Sequence, residues 1–145
     1  MKKYETIEVA YEYLANAKTI LKEKAQRSNG YYSKPKYVKM AGNTAWNGVL
    51  VALDIYIQRL GITKKGRKKV EDYQDLIAKE NRKLLKVFQS AYNYLQLLMG
   101  YDGDLNVKTA KTGLELAKEI IQWVEKKEYN INLKIYHYET KNPMV

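Results

Sequence analysis

The stretch from residue 33 to residue 60 constrains the fold most, because it predicts one long helix that is apolar on two sides. Ser33 is a suitable N-cap, Pro35 is tolerated in a first turn, and Gly61 supplies the left-handed residue that ends a helix. A helix with two apolar sides usually has neighbours on both flanks, so we expect this helix to be central. Its two stripes are Val38, Ala41, Ala45, Ala52 and Tyr56, and Trp46, Val49, Leu50, Leu53, Ile57 and Leu60.

Two glycines, Gly42 and Gly48, lie inside this predicted helix. Each costs about 1 kcal/mol relative to Ala in a helix interior, because glycine loses more backbone entropy on folding. The compensation we expect is a neighbouring helix that packs closely against the bare backbone at these two positions.

Four other stretches carry apolar residues at helical spacing, and they cover residues 4–26, 68–79, 81–99 and 107–127. In the stretch 81–99 this spacing places Leu95 and Leu98 inward. Short connections are typical of antiparallel neighbours. We therefore expect an all-α fold: an antiparallel bundle of four long helices plus one short helix, with no strands and so no strand-borne phosphate loop.

The end of the chain has a different pattern. Ile131, Leu133 and Ile135 alternate with polar residues, as in a strand, but a lone strand has nothing to pair with. We expect residues 1–128 to form the helical bundle domain and residues 129–145 to form an extended, irregular C-terminal tail.

Composition excludes several classes of site. The chain has 145 residues, which favours one domain, and no cysteine, which excludes disulfides, zinc–thiolate sites and cysteine nucleophiles. No stretch approaches the roughly 18 uninterrupted apolar residues of a membrane span. Glu5, Glu8 and Glu12 interrupt what would be the apolar core of a signal peptide. We expect a soluble, cytoplasmic protein that does not enter a membrane.

Catalytic and metal-binding patterns are weak. His137 is the single histidine, so no Ser-His-Asp set can form without it. Asp102, Asp104 and Asn106 are spaced like calcium ligands, but Gly113 stands where the closing acidic residue belongs. A tight turn with Asn106 as the N-cap of the next helix explains them better. We expect no catalytic residues, metal or cofactor.

The charge is the largest deviation from an average protein, with 26 Lys+Arg against 16 Asp+Glu and a net charge of +10. Basic residues concentrate in a loop and on the helix surface that follows. If these surfaces join, they form a patch for nucleic-acid phosphates or an acidic partner; the alternative is a merely solvated surface. The candidates are Lys64, Lys65, Arg67, Lys68 and Lys69 in the loop, and Lys79, Arg82, Lys83 and Lys86 after it.

A second candidate site combines amides and tyrosines. Asn43 and Asn47 lie one turn apart on the central helix, where they line a ligand groove or join a structural hydrogen-bond network. Tyr31 and Tyr32 stand beside lysines, where they stack on bases or pack against the core.

Three motifs resemble those of a family of uncharacterised bacterial proteins allied to HEPN-like helical bundles. They are the stretch KMAGNTAWNGVLVALD from Lys39 to Asp54, Val70-Glu71-Asp72-Tyr73, and Met99-Gly100-Tyr101-Asp102-Gly103. HEPN-like domains are often small and dimeric; some are RNA-cutting toxins, and others partner a nucleotidyltransferase. Nuclease members carry an Arg followed four to six residues later by a His, and this chain has Asn132 five residues before His137.

The resemblance therefore implies a binding module and not a nuclease. Our leading hypothesis is a non-catalytic helical bundle, homodimeric, that engages a macromolecular partner such as a nucleotidyltransferase or a toxin-system component. The first alternative is RNA or DNA binding through the basic loop and helix surface. The second is a small-ligand-binding bundle.

Overall fold

A computed structural model describes the backbone of residues 6–62 and 68–141 and the side chains of residues 6–62 and 68–129. The all-α prediction is confirmed, because helices surround one apolar core. The described strands form only one short hairpin, with two residues in each strand. None of the described helices is long and apolar enough to cross a membrane. The elements are α1 (Ile7–Glu23), β1 (Arg27–Ser28), β2 (Tyr31–Tyr32), α2 (Pro35–Arg59), α3 (Val70–Glu80), α4 (Arg82–Ala91), a π-helical continuation of α4 that we call the π segment (Tyr92–Tyr101), and α5 (Val107–Lys141).

The central position predicted for α2 is confirmed. It packs against α1, α5 and the π segment, and both of its apolar stripes contribute to the core. Trp46 lies beside two aromatic rings of the α4 region, with centroids 5.3 Å from Phe88 and 5.5 Å from Tyr92. Gly61 ends the helix region in the left-handed conformation, at φ +71°, as predicted.

Both glycines of α2 face another helix at close range, which confirms the predicted compensation. A Cβ on Gly42 would lie 2.6 Å from the Leu95 carbonyl oxygen and 2.6 Å from the Met99 Cβ. A Cβ on Gly48 would lie 3.0 Å from the Ala10 carbonyl oxygen. The entropy that glycine costs is therefore offset by dense packing of α2 against the π segment on one side and α1 on the other.

The fourth predicted helix is divided in two. It is α-helical to Ala91 and π-helical from Tyr92 to Tyr101, where i→i+5 hydrogen bonds widen each turn. Buried residues then recur every fourth position, at Ala91, Leu95 and Met99. Met99 is fully buried, whereas Leu98 is only half-buried. The prediction that Leu98 points inward was therefore wrong by one position.

The prediction of no strands was wrong, because the chain forms one short hairpin of β1 and β2. Arg27 pairs with Tyr32 and Ser28 with Tyr31. Asn29 and Gly30 join the strands with φ of 52° and 80°, as a type I′ turn requires and as an Asn-Gly pair favours. Ser33 follows the hairpin and donates its hydroxyl to the Gln26 carbonyl oxygen, so Lys34 is the N-cap of α2 in its place.

The predicted extended tail was also wrong, because α5 continues to Lys141. A continuing helix satisfies its own backbone N–H and C=O groups, whereas an isolated strand needs a partner. Residue 128, where we placed the end of the bundle domain, lies inside this helix. Residues 142–145 of the predicted tail lie outside the described residues.

Gly42→Ala should lower the free energy of unfolding by about 1–3 kcal/mol, because the added methyl group meets backbone and not a flexible side chain. This loss opposes the gain of about 1 kcal/mol that Ala brings to a helix. Chemical denaturation followed by circular dichroism measures the change. Asn47→Ala is the matched control on an exposed position of α2 and should stay within about 0.5 kcal/mol. Equal stability of Gly42→Ala and the wild type would contradict the packing argument.

Candidate binding groove at the hairpin end

The predicted basic loop is only partly described, since Lys64, Lys65 and Arg67 lie outside the described residues. Lys68 is engaged within the protein. Its Nζ lies 3.1 Å from Asp54 Oδ1 and 5.9 Å from the centre of the Tyr73 ring. The Tyr73 hydroxyl donates to the same carboxylate oxygen at 2.9 Å. The charge of Lys68 therefore serves to fix α3 against α2.

The other predicted cations do not form one helical surface. Lys69 precedes α3, and its backbone N–H donates to Asp72 Oδ2. Lys79 lies in the last turn of α3, and extended backbone at Asn81 separates it from α4. Asn81 also caps α4 by accepting from the Leu84 N–H. The structure therefore groups three of the predicted cations on α4, and all three are exposed: Arg82, Lys83 and Lys86.

The four residues of the amide and tyrosine site do not line one common cavity. Asn43 and Asn47 are exposed on α2, and the Asn43 amide lies against Gly100 of the π segment. Tyr31 is 58% exposed and Tyr32 only 8% exposed, because adjacent residues of a strand point to opposite faces. Tyr32 lines the cavity described next, but neither amide does.

A cavity of about 360 Å³ lies between α1, the hairpin and the start of α5, and we call it the hairpin-end groove. Its walls are mainly apolar. Leu21 of α1, Tyr32 of β2 and Ala110 of α5 are buried, while Val107 and Leu114 of α5 are half-buried beside them. The groove is therefore an apolar depression that remains open at one end of the bundle.

Four cations complete the lining: Lys18 and Lys22 of α1, Arg27 of β1, and Lys111 of α5. Among the described residues, no acidic side chain lines the groove. All four side chains are exposed, and within the described part of the chain none of them forms an ion pair. Four like charges around one cavity repel one another, and an anionic group bound there would relieve this repulsion.

Local structure explains how these residues meet. The hairpin is held against the start of α5, because the Tyr32 N–H donates to the Leu105 carbonyl at 2.8 Å and the Val107 N–H to the Gly30 carbonyl at 3.1 Å. Arg27 and Tyr32 are paired across the strands and so share one face of the hairpin. Burial raises the pKa of Tyr32, and the Arg27 charge partly opposes this shift.

The two helices of the groove are joined further along their length. The Tyr11 hydroxyl of α1 donates to Glu125 Oε1 of α5 at 3.2 Å. Burial, together with the Glu125 carboxylate, raises the pKa of Tyr11 to about 12. The phenol therefore stays neutral and can donate this hydrogen bond across the physiological range. Helices α1 and α5 are thus held together here, and the groove opens between their ends beside the hairpin.

A second cavity, of about 440 Å³, lies between α4 and α5. Its lining mixes Lys83 and Lys126 with Glu119 and the half-buried Trp123. Lys127 Nζ lies 5.3 Å from the Trp123 ring centre. Because both signs of charge are present, this cavity has no clear preference for an anion.

Other polar residues have structural roles. Asp104 accepts from the Asn106 N–H and from the Thr109 hydroxyl, each at 2.9 Å, and Asn106 accepts from the Lys108 N–H at 2.9 Å. The prediction of a turn with Asn106 as N-cap is confirmed. Within the described residues, no group of three or more His, Cys, Asp or Glu side chains is placed to hold a metal ion.

Comparison with known proteins gives a family without an assigned activity. Residues 5–126 match the model described as Domain of unknown function (DUF5618). The chain belongs to this family. Its structure is similar to that of a protein of unknown function from Dyadobacter fermentans, at 43% sequence identity and a TM-score of 0.79, with 88% of this chain and 99% of that chain covered. No curated protein matches the chain.

The groove cations should be replaceable without loss of stability. Lys22→Gln/Lys111→Gln should keep or slightly raise the free energy of unfolding, by up to about 0.5 kcal/mol at low salt, because it relieves repulsion between exposed like charges. Thermal unfolding at low and high salt measures this.

Lys68→Gln is the control for this measurement. It should destabilise the protein because it removes a cation that pairs with Asp54. A marked loss of stability in Lys22→Gln/Lys111→Gln would show that the groove cations have a structural role.

Proposed function

We propose that this protein is a non-catalytic binding module that engages a macromolecular partner through the hairpin-end groove. The observation that carries the proposal is the group of four exposed cations around an apolar floor, with no acidic residue among the described lining residues. Such a surface attracts an anionic partner at long range and offers apolar area for burial once the partner is bound.

The lining supports binding over catalysis. In the part of the chain that the structure describes, it contains no carboxylate, histidine or cysteine, the usual side chains for a general base or a strong nucleophile. Among the described groups, the largest pKa shifts fall on three tyrosines: Tyr11, Tyr56 and Tyr73. Each donates its hydroxyl in a hydrogen bond to a carboxylate on another helix. These tyrosines join helices of the bundle, and none of them lines either of the two cavities described above.

We keep the HEPN-like relationship as part of this proposal. The absence of the Arg–His nuclease motif from this sequence favours a partner role, with a nucleotidyltransferase or a toxin-system component as the candidate, in the cytoplasm. A homodimer fits the same proposal. It would use another surface, because two copies of a groove lined by four cations repel each other.

A second candidate function is RNA or DNA binding through α4. Arg82, Lys83 and Lys86 are exposed at the start of this helix, and its first turn has no acidic residue. Their charges add to the positive end of the helix dipole, which favours phosphate. The cavity beside this surface includes Glu119, whose carboxylate repels phosphate, so we rank it second. A small-ligand site in the groove is a third reading, since about 360 Å³ is within the range of ligand pockets.

Site-directed photo-cross-linking tests the proposal. A photo-reactive amino acid at position 114 lies in the hairpin-end groove, and one at position 87 lies in the α4–α5 cavity as a matched control. Both residues are half-buried. Irradiation in an extract of the source organism, with and without nuclease, should give a discrete adduct from position 114 only.

Two results would contradict the proposal: no adduct from position 114, or equal adducts from both positions. The adduct should also disappear in Lys18→Glu/Lys111→Glu, because the variant reverses two of the four groove charges. Lys83→Glu/Lys86→Glu changes the net charge of the chain equally and should retain the adduct.

A further inference from the structure

We infer that the occupant of the hairpin-end groove is a short, acidic, amphipathic peptide segment of a partner protein. This inference rests on the proposed function and names the partner chemistry of the same site. It follows from three features: the apolar floor along α5, the placement of the cations around it, and the lack of an exposed aromatic face among the described lining residues.

The apolar floor runs along one side of α5. Val107, Ala110 and Leu114 of α5 occupy positions i, i+3 and i+7, and Leu21 of α1 faces the same cavity. Two helical turns extend about 10 Å along the axis. A segment of about two helical turns can lie along this floor with one apolar side buried.

The cations stand on several sides of the floor. Lys18 and Lys22 lie one turn apart on α1, Lys111 belongs to α5 on the other side, and Arg27 comes from the hairpin. An occupant with apolar side chains toward the floor would therefore meet cations along both edges. Carboxylates flanking the apolar side chains complement this arrangement, and long lysine side chains adjust to their positions.

Single-stranded nucleic acid fits the groove less well. Sites for single strands combine cations with aromatic faces on which bases stack. Tyr32, the aromatic residue among the described lining, is 8% exposed, and the 58% exposed Tyr31 belongs to the opposite face of the hairpin. Of the side chains that read base edges, the described lining offers Arg and Lys, which can contact guanine, but no Asn, Gln, Ser or Thr. Duplex phosphates, in turn, would leave the apolar floor uncovered.

Selection from a random peptide library tests the inference on the full-length protein. Peptides of roughly 12 residues, longer than two helical turns, are displayed on phage and selected against the immobilised protein. We expect enriched sequences to combine Asp or Glu with aliphatic residues at helical spacing. Their affinity, measured by fluorescence anisotropy, should fall as salt rises.

Charge-reversal variants locate the binding. Lys18→Glu/Lys111→Glu should weaken the selected peptides by about tenfold or more, whereas Lys83→Glu/Lys86→Glu should leave them within about twofold. Glu at position 18 pairs favourably with Lys22 at i+4, so the groove variant should fold. Thermal unfolding of both variants verifies this.

The outcomes separate the inference from the proposed function. No enriched peptides, peptides without carboxylates, or equal weakening by both variants would overturn the inference. An oligonucleotide that binds more tightly than the peptides and loses affinity in the groove variant would also overturn it, while the groove would still bind a macromolecule. Failure of both the peptide selection and the position 114 cross-link would overturn both.

Discussion

The close contact between α2 and the π segment is the constraint on which the rest of the structure depends. A Cβ on Gly42 would meet the Gly100 backbone nitrogen at 2.8 Å, and a Cβ on Gly100 would meet the Asn43 side chain. Bare backbone at these positions lets the two helices approach. Because α1 also approaches α2, at Gly48, the central helix can bury most of both apolar stripes, although Leu60 at its end is 40% exposed.

This contact also determines where the candidate site forms. The π segment ends at Tyr101, and the turn that follows carries Leu105 to the hairpin, where its carbonyl accepts the Tyr32 N–H. Gly103 in that turn has φ +65° and packs against Pro35 at the start of α2. The turn that supports the hairpin thus follows directly on the helix segment that packs against Gly42.

The motifs that resemble the uncharacterised family have the same structural explanation. Asp54, at the end of the Lys39–Asp54 stretch, accepts a hydrogen bond from Tyr73 of the second motif. Gly100, in the third motif, lies against Asn43 in the first. These motifs specify how α2 meets its neighbours. Membership of a family without an assigned activity is what such motifs can establish.

Sequence reasoning succeeded where the signal is local. The central α2, its ending at Gly61 and the close packing at Gly42 follow from helical spacing and glycine energetics. The π segment was missed, because α-helical spacing places Leu98 inward where the wider turns bury Met99. The prediction of an extended tail was wrong because an alternating pattern forms a strand only when a partner strand is present, and here α5 continues to Lys141.

The candidate site was missed for a different reason. Its cations extend from Lys18 to Lys111 along the chain, so only the tertiary structure brings them together. The basic loop, in contrast, is conspicuous in the sequence, yet Lys68 pairs with Asp54, fourteen positions earlier. A cluster of charges in the sequence thus predicts a charged surface, but it does not show which of these charges form ion pairs within the protein.

The most direct test of the central claim is lysine footprinting of the protein with and without its partner from the source organism. Acylation at each lysine is read by mass spectrometry, after nuclease treatment to remove nucleic acid. The account predicts that Lys18, Lys22 and Lys111 become protected when the partner is bound, while Lys79, Lys83 and Lys86 react equally in both samples. Protection of Lys79, Lys83 and Lys86 with full reactivity at the three groove lysines would contradict it, and would move the binding surface to the α3–α4 region.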